Sequence, residues 1–135
     1  MVTEQVEDSM ERADVTRATL LAREIFSDIA NRWALLVINA LGERTLRFTA
    51  LHAEVDGISH KMLTQTLRTL ERDGLVQRTV HPTVPPRVDY ALTEPGRALR
   101  TLVNGICGWT RQHVAHVEAA RSRFDAERRL SPAPR

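Results

Sequence analysis

The chain has 135 residues, of which 42% are hydrophobic and 27% are charged, and its formal net charge at pH 7 is +2. These values are typical of a single globular domain and exclude a chain that is mostly disordered. The charge is unevenly placed, because residues 1–14 carry a net charge of −4 and the rest of the chain +6. A polyanionic partner fits this pattern, but from charge alone two solvated surfaces of opposite sign are the better interpretation.

The sequence also indicates where in the cell the protein is expected to act. No apolar run approaches the roughly 18 residues that a membrane-spanning helix needs, and the first residues are acidic, unlike a signal peptide. We therefore expect a cytoplasmic protein without a membrane partner. The single cysteine, Cys107, excludes an intrachain disulfide and a multi-cysteine zinc site.

The first half of the chain reads as an arm followed by helices. Residues 1–18 show no stable periodicity and are predicted to form a flexible acidic arm. Apolar residues at helical spacing predict a first helix from residue 19 and a second, almost wholly apolar helix over residues 33–41. A short third helix is predicted over residues 48–55, before Asp56-Gly57.

The clearest local signature predicts a fourth helix over residues 59–73. Ser59 is a favourable N-cap, because its hydroxyl can accept a hydrogen bond from the first turn. Leu63, Leu67 and Leu70 recur at helical spacing and predict one buried stripe. Gly74 stands where a glycine commonly ends a helix.

The second half of the chain predicts a hairpin and a long helix. Residues 75–81 and 87–92 read as strands, and the three prolines between them predict a connecting loop. Thr93 is expected to cap a final helix over about residues 94–124. Residues 125–135 are predicted to form a polar tail, which leaves residues 19–124 as the folded domain.

This order of elements predicts a mainly α fold with a small β-hairpin. A short glycine-containing turn between the third and fourth helices indicates a helix-turn-helix, and the hairpin that follows indicates a wing. Such a winged helix-turn-helix docks its second helix in the major groove of DNA and lays the wing along the backbone.

The face opposite the leucine stripe carries side chains that can bind bases or phosphates, although a polar helix face is by itself more often merely solvated. No carboxylate occurs between Asp56 and Glu71. On the fourth helix the predicted DNA-binding residues are Ser59, His60, Lys61, Thr64, Gln65 and Arg68, with Thr69 at the edge. The predicted phosphate contacts before the third helix and around the wing are Arg44, Thr45, Arg47, Arg78, His81 and Arg87.

Residues 47–99 resemble the HxlR-type winged helix-turn-helix regulators of bacteria, within the MarR-like winged helix superfamily. Shared features include Arg47-Phe48, Gly57-Ile58-Ser59, Leu63-Thr64, Leu70-Glu71, Asp73-Gly74-Leu75, Pro85-Pro86-Arg87-Val88, Tyr90 and Gly96. Trp33 begins the second helix as in that family, so the resemblance covers about residues 25–113.

The resemblance implies a homodimer that represses transcription from a pseudo-palindromic operator, with double-stranded DNA and a second copy as partners. It also implies that the N- and C-terminal helices form the dimer, which agrees with an apolar stripe on the predicted last helix. The expected dimer contacts on that stripe are Leu99, Leu102, Ile106, Trp109 and Val117.

Two routes for a regulatory signal stay open. Several members of the family carry a cysteine before the first helix that is a redox switch in some, but here that place holds Leu20 or a neighbour. Cys107 is then either a redox site or a small buried hydrophobe. Alternatively, Phe26, Trp33 and Trp109 line a pocket for a small aromatic or quinone-like effector, or are ordinary core or dimer contacts.

Enzyme functions find no support in the sequence. There is no glycine-rich phosphate loop, nucleophile elbow or two-histidine zinc motif. His113 and His116 have only Glu118 nearby to complete a metal site, so no metal or other cofactor is predicted. The alternative to a DNA-binding regulator is a dimeric protein-interaction module, which would bind DNA weakly and without sequence preference.

Overall fold

A computed structural model describes residues 2–130, which form five helices and three short strands. In chain order these are α1 (Val2–Ile29), α2 (Arg32–Leu41), β1 (Leu46–Arg47), α3 (Phe48–Glu54), α4 (His60–Arg72), β2 (Val76–His81), β3 (Arg87–Leu92) and α5 (Glu94–Leu130). Within that range, none of the helices combines the length and apolar character that crossing a membrane requires. The chain divides into two compact units, Met1–Arg100 and Thr101–Arg135.

Helix α2 is the centre of the first unit. Its side chains Val37, Ile38 and Leu41 are completely buried, and the helix packs against α1, α3, α4 and β3. Asn31 joins α1 to α2, because its Oδ1 accepts a hydrogen bond from Ala34 N (2.8 Å) and its Nδ2 donates to Asp28 O (2.8 Å). Burial of these aliphatic side chains is the main force that holds the unit together.

The three strands form an antiparallel sheet in the order β1-β3-β2. The β2–β3 hairpin matches the predicted wing, with Val76 opposite Leu92 and His81 opposite Arg87. The two-residue strand β1 adds to the other edge, where Leu46 lies opposite Tyr90. The sequence did not predict β1, because two residues are too few to show an alternating pattern.

The first helix begins earlier than predicted, because residues 2–18, which were predicted to form a flexible acidic arm ahead of it, belong to α1. Ion pairs between neighbouring turns support the helix, between Arg12 and Asp8 (2.5 Å) and between Arg17 and Asp14 (3.3 Å). Nearly all side chains over residues 3–21 are exposed, so an apolar stripe could not reveal the helix.

The last helix begins as predicted and ends later. Gly96 N donates a hydrogen bond to Thr93 Oγ1 (3.2 Å), which confirms the Thr93 cap. The helix continues to Leu130, so the predicted tail is wrong for residues 125–130; residues 131–135 lie outside the described residues. Good helix formers fill this stretch, and Arg128 and Arg129 in the last turn suit the negative end of the helix dipole.

Candidate nucleic-acid interface

Helices α3 and α4 form a helix-turn-helix whose geometry follows from three local features. Gly57 adopts φ +83° in the turn, a left-handed conformation that favours glycine, and Ile58 is buried beside it. Ser59 Oγ then accepts a hydrogen bond from Met62 N (3.1 Å), as the predicted N-cap should. With Leu63, Leu67 and Leu70 buried in the core, the polar face of α4 is left open to solvent.

That polar face lines an open groove of about 790 Å³, which we call the α4 groove. It is lined by Phe48, His60, Lys61, Thr64, Gln65, Arg68 and Thr69. The structure thus brings together five of the six residues predicted on the fourth helix, and the sixth, Ser59, caps the helix. The lining contains two permanent cations and no carboxylate.

Hydrogen bonds within α4 decide which side chains can donate from the groove. The hydroxyl of Thr64 donates to His60 O (2.8 Å) and that of Thr69 to Gln65 O (3.1 Å). Their methyl groups and oxygen lone pairs remain for contacts. Lys61, Gln65 and Arg68 are exposed and supply the longer donors.

Three stacked aromatic rings, those of Phe48, His52 and His60, lie at the N-terminal end of the α4 groove. The His60 ring lies 4.2 Å from the His52 ring and 5.5 Å from the Phe48 ring, between centroids. Sequence reasoning did not assign Phe48 or His52 to the site. Their spacing of four residues on one helix places them on adjacent turns and was the available signal.

A second groove of about 270 Å³ connects α4 to the sheet and is called the wing groove. It is lined by Thr64, Leu67, Arg68, Glu71, Arg78 and Tyr90. The predicted phosphate contact Arg78 therefore shares a surface with Arg68, whereas the carboxylate of Glu71 partly offsets their charge.

The two other predicted wing contacts, His81 and Arg87, both pair with Asp89, which was not among the residues predicted from the sequence. His81 Nε2 lies 2.9 Å from Asp89 Oδ2, and Arg87 Nη2 lies 3.4 Å from the same oxygen. The Asp89 side chain is only 14% exposed. It fixes the two side chains and neutralises part of the charge that Arg87 could offer to phosphate.

Arg44 also has an internal partner. It forms a two-pronged ion pair with Glu54, and its Nη2 donates to Ala40 O (2.6 Å). The hydrogen bond with Arg44 lowers the pKa of Glu54 and raises that of Arg44. Thr45 and Arg47 are exposed, so all three remain predicted phosphate contacts, with Arg44 the least available.

The predicted effector residues differ in exposure. Phe26 and Trp109 are exposed, whereas Trp33 is half-buried and lines a cleft of about 280 Å³ with Met62 and Gln65 among its neighbours. Cys107 is half-buried. Across residues 2–130, no group of three or more histidine, cysteine or acidic side chains is placed to hold a metal.

The helix-turn-helix, its open basic face and the hairpin that follows define a winged helix-turn-helix protein. Residues 28–118 match the HxlR-like helix-turn-helix family, and the chain belongs to that family. Members of this family are DNA-binding transcriptional regulators and not enzymes, so the chain is a helix-turn-helix transcriptional regulator.

Individual relatives agree with this assignment. The chain is 39% identical over 92 residues to an uncharacterized HTH-type transcriptional regulator of Methanothermobacter thermautotrophicus, covering 68% of this chain and 70% of that protein. It is 38% identical over 100 residues to the uncharacterized HTH-type transcriptional regulator YtfH of Escherichia coli, covering 74% and 79%. The solved structure of the redox regulator HypR in its reduced form superposes with a TM-score of 0.64 at 32% identity, covering 73% and 97%.

Proposed function

We propose that the protein is a homodimeric repressor that binds a pseudo-palindromic operator. In this proposal α4 enters the major groove and reads bases through some of His60, Lys61, Thr64, Gln65 and Arg68. The observation that carries it is the α4 groove, which presents cations and amide donors and no carboxylate along one exposed helix face. The wing and the segment over residues 44–47 then contact the DNA backbone.

A second copy is the proposed partner of α5. Three large apolar side chains lie on one face of that helix and are more than half exposed: Leu102 (65%), Ile106 (58%) and Trp109 (56%). Leu99 and Val117, which continue the predicted stripe, are half-buried. Contiguous exposed apolar surface of this kind marks a protein–protein interface, and two-fold symmetry would present two copies of α4 to successive major grooves.

Lys61 permits a direct test of the DNA interface, because it is the only lysine in the chain. An amine-reactive acetylating reagent then has two targets, the Lys61 side chain and the N-terminal amine. Mass spectrometry would compare their rates of modification with and without duplex DNA. We expect DNA to slow acetylation of Lys61, with the N-terminal amine as internal reference, and an unchanged Lys61 rate at saturating DNA would contradict the proposal.

The proposed signal that releases DNA is either a small aromatic or quinone-like effector or an oxidant. The cleft beside Trp33 supports the first, and the similarity to the redox regulator HypR supports the second. Quenching of tryptophan fluorescence by an aromatic or quinone compound would support an effector site. Redox control would be supported if an oxidant changes DNA binding by the wild-type protein and no longer does so in Cys107→Ser.

The proposed function requires the protein to meet chromosomal DNA and therefore to act in the cytoplasm. A protein-interaction module is the competing function. It predicts DNA binding that is weak, insensitive to sequence and abolished by physiological salt, whereas a regulator retains a specific component.

A further inference from the structure

His60 occupies a critical position in the α4 groove. It is the first residue of α4, it is exposed, and it lines the groove at the end where the helix would enter DNA. An exposed side chain at a helix terminus ordinarily samples several rotamers. Fixing one of them on DNA would lower affinity by a factor of about three to ten.

The His60 ring is already restrained in the free protein. His60 stacks on His52 with 4.2 Å between ring centroids and 20° between ring planes, and it lies 5.5 Å from Phe48 at 23°. Both partners belong to α3 and are half-buried. Their own rings are almost parallel, at 11°.

Helix α3 is a firm base for the stack. Leu51, between the two aromatic residues in sequence, is completely buried. The ion pair of Glu54 with Arg44 ties the end of the helix to the segment before β1. The position of His52 is therefore set by the core. By stacking on the His60 ring, His52 in turn restricts the orientation of the first residue of α4.

We propose that His52 is a positioning residue for sequence recognition, which holds the His60 imidazole against the α4 groove so that its ring edge meets a base. This inference rests on the proposed DNA-binding function. Contacts to bases depend on side-chain orientation, whereas contacts to phosphate made elsewhere do not depend on this ring. Loss of His52 therefore lowers the affinity for the selected operator more than the affinity for unrelated DNA.

The first test measures the ratio of the dissociation constants for unrelated and operator DNA. We expect His52→Ala to lower that ratio about three- to tenfold. His52→Phe should restore most of it, because an aromatic ring can still stack. His116→Ala removes an exposed histidine of α5 and should leave the ratio unchanged. A ratio that stays at the wild-type value in His52→Ala, or an equal loss in His52→Phe, would overturn the inference.

A double-mutant cycle tests whether His52 acts through His60. If His52 acts through His60, His52→Ala should change the ratio little in a His60→Ala background. Equal effects of His52→Ala on the ratio in both backgrounds would show that it acts independently of His60 and would overturn the inference.

A measurement on the free protein distinguishes failure of this inference from failure of the proposed function. Stacked rings shift one another's proton resonances, so the His60 ring protons should move in His52→Ala and less so in His52→Phe. Unmoved His60 resonances overturn the stack whatever the protein does with DNA. Moved resonances in a protein that shows no sequence preference would instead contradict the DNA-binding proposal and, with it, the recognition role of His52.

Discussion

The carboxyl of Asp73, at the end of α4, has a raised pKa. Burial raises the pKa of this carboxyl to about 6, helped by a hydrogen bond with Asp28 and by the negative charges of Asp28 and Glu24, against the opposing charge of Arg72. Asp73 Oδ2 is buried, and none of the described residues donates a hydrogen bond to it. Protonation of Asp73 relieves its repulsion from Asp28 and Glu24, which lie near the end of α1.

The raised pKa makes stability depend on pH in a defined direction. The ordinary value is 3.8, so between about pH 4 and 6 the folded state retains a proton that the unfolded chain releases. The free energy of unfolding therefore falls as pH rises through this window. Above about pH 6 the folded protein bears the full cost of ionising the Asp73 carboxyl in its buried position.

Asp73→Asn should remove that cost, because the amide resembles the protonated acid. We expect the variant to be more stable than wild type by about 1–2 kcal/mol at pH 7, a value reduced for partial solvent exposure, and equally stable near pH 4. Urea unfolding at both pH values measures this. Asp125→Asn, at an exposed position in α5, is the control. A variant no more stable at pH 7 than at pH 4, each relative to wild type, would count against the raised pKa of Asp73.

Arg68 belongs to both the α4 groove and the wing groove, so its loss distinguishes two kinds of contact. If Arg68 reads a guanine, Arg68→Ala should weaken specific binding by about 1–3 kcal/mol and relax the preference at one base pair. If it binds phosphate, binding to all sequences should weaken alike. Arg121→Ala on α5 is the control for lost positive charge, and an Arg68 variant indistinguishable from it would refute the placement of the DNA-reading face.

Individual roles were predictable from sequence where they are local. Ser59 and Thr93 were identified as caps because a cap is defined by its neighbours along the chain. The partners of Arg44 and His81 were not, since Glu54 and Asp89 lie 10 and 8 residues away and meet them only through the fold. The His52–His60 stack was not predicted for the same reason.

The junction between the wing and α5 depends on a close approach of two elements. Gly96 lies in the first turn of α5, and a Cβ added there would be 2.1 Å from the backbone oxygen of Leu75. That oxygen also accepts a hydrogen bond from Thr93 N (3.0 Å). Thr93 Oγ1 in turn donates to Gly74 O (2.6 Å), so the start of α5 and the start of β2 are held at backbone distance.

Gly96→Ala should therefore destabilise the protein by about 2–3 kcal/mol, as overpacking against backbone does. Thermal unfolding would measure it. Gly108→Ala is the matched control, because a Cβ at that glycine would meet only the flexible end of the Arg111 side chain, at 3.8 Å. Alanine is also the better helix former, so the control should not lose stability. Wild-type stability of Gly96→Ala would contradict this packing.

At the level of elements, sequence patterns succeeded where one face is buried. Leu63, Leu67 and Leu70 predicted α4 to within one residue at each end, and the alternation of β3 predicted its limits. The patterns failed for the N-terminal part of α1 and for the last residues of α5, which are exposed on nearly all sides. A helical segment without an apolar stripe has no periodic signal to read.

For the whole molecule, the exposed stripe on α5 predicts self-association. Ile106→Glu places a charge in the centre of that stripe and should convert the proposed dimer to a monomer, because burying an unpaired carboxylate is costly. Asn104→Glu adds the same charge on the opposite side of the helix and should leave the dimer intact. Sedimentation velocity would measure both, and a dimeric Ile106→Glu protein would show that α5 does not form the interface through this stripe.

The central claim is that this chain reads a DNA sequence with α4, and selection from random-sequence duplex DNA tests it most directly. The reduced protein would be used at about 150 mM salt, where binding to phosphates alone is weak. We predict enrichment of a palindrome whose half-sites lie about one helical turn apart, and loss of that enrichment in a Lys61→Ala, Arg68→Ala double variant. Binding that declines equally for all sequences, with no enriched motif, would contradict the claim and favour a protein-interaction module.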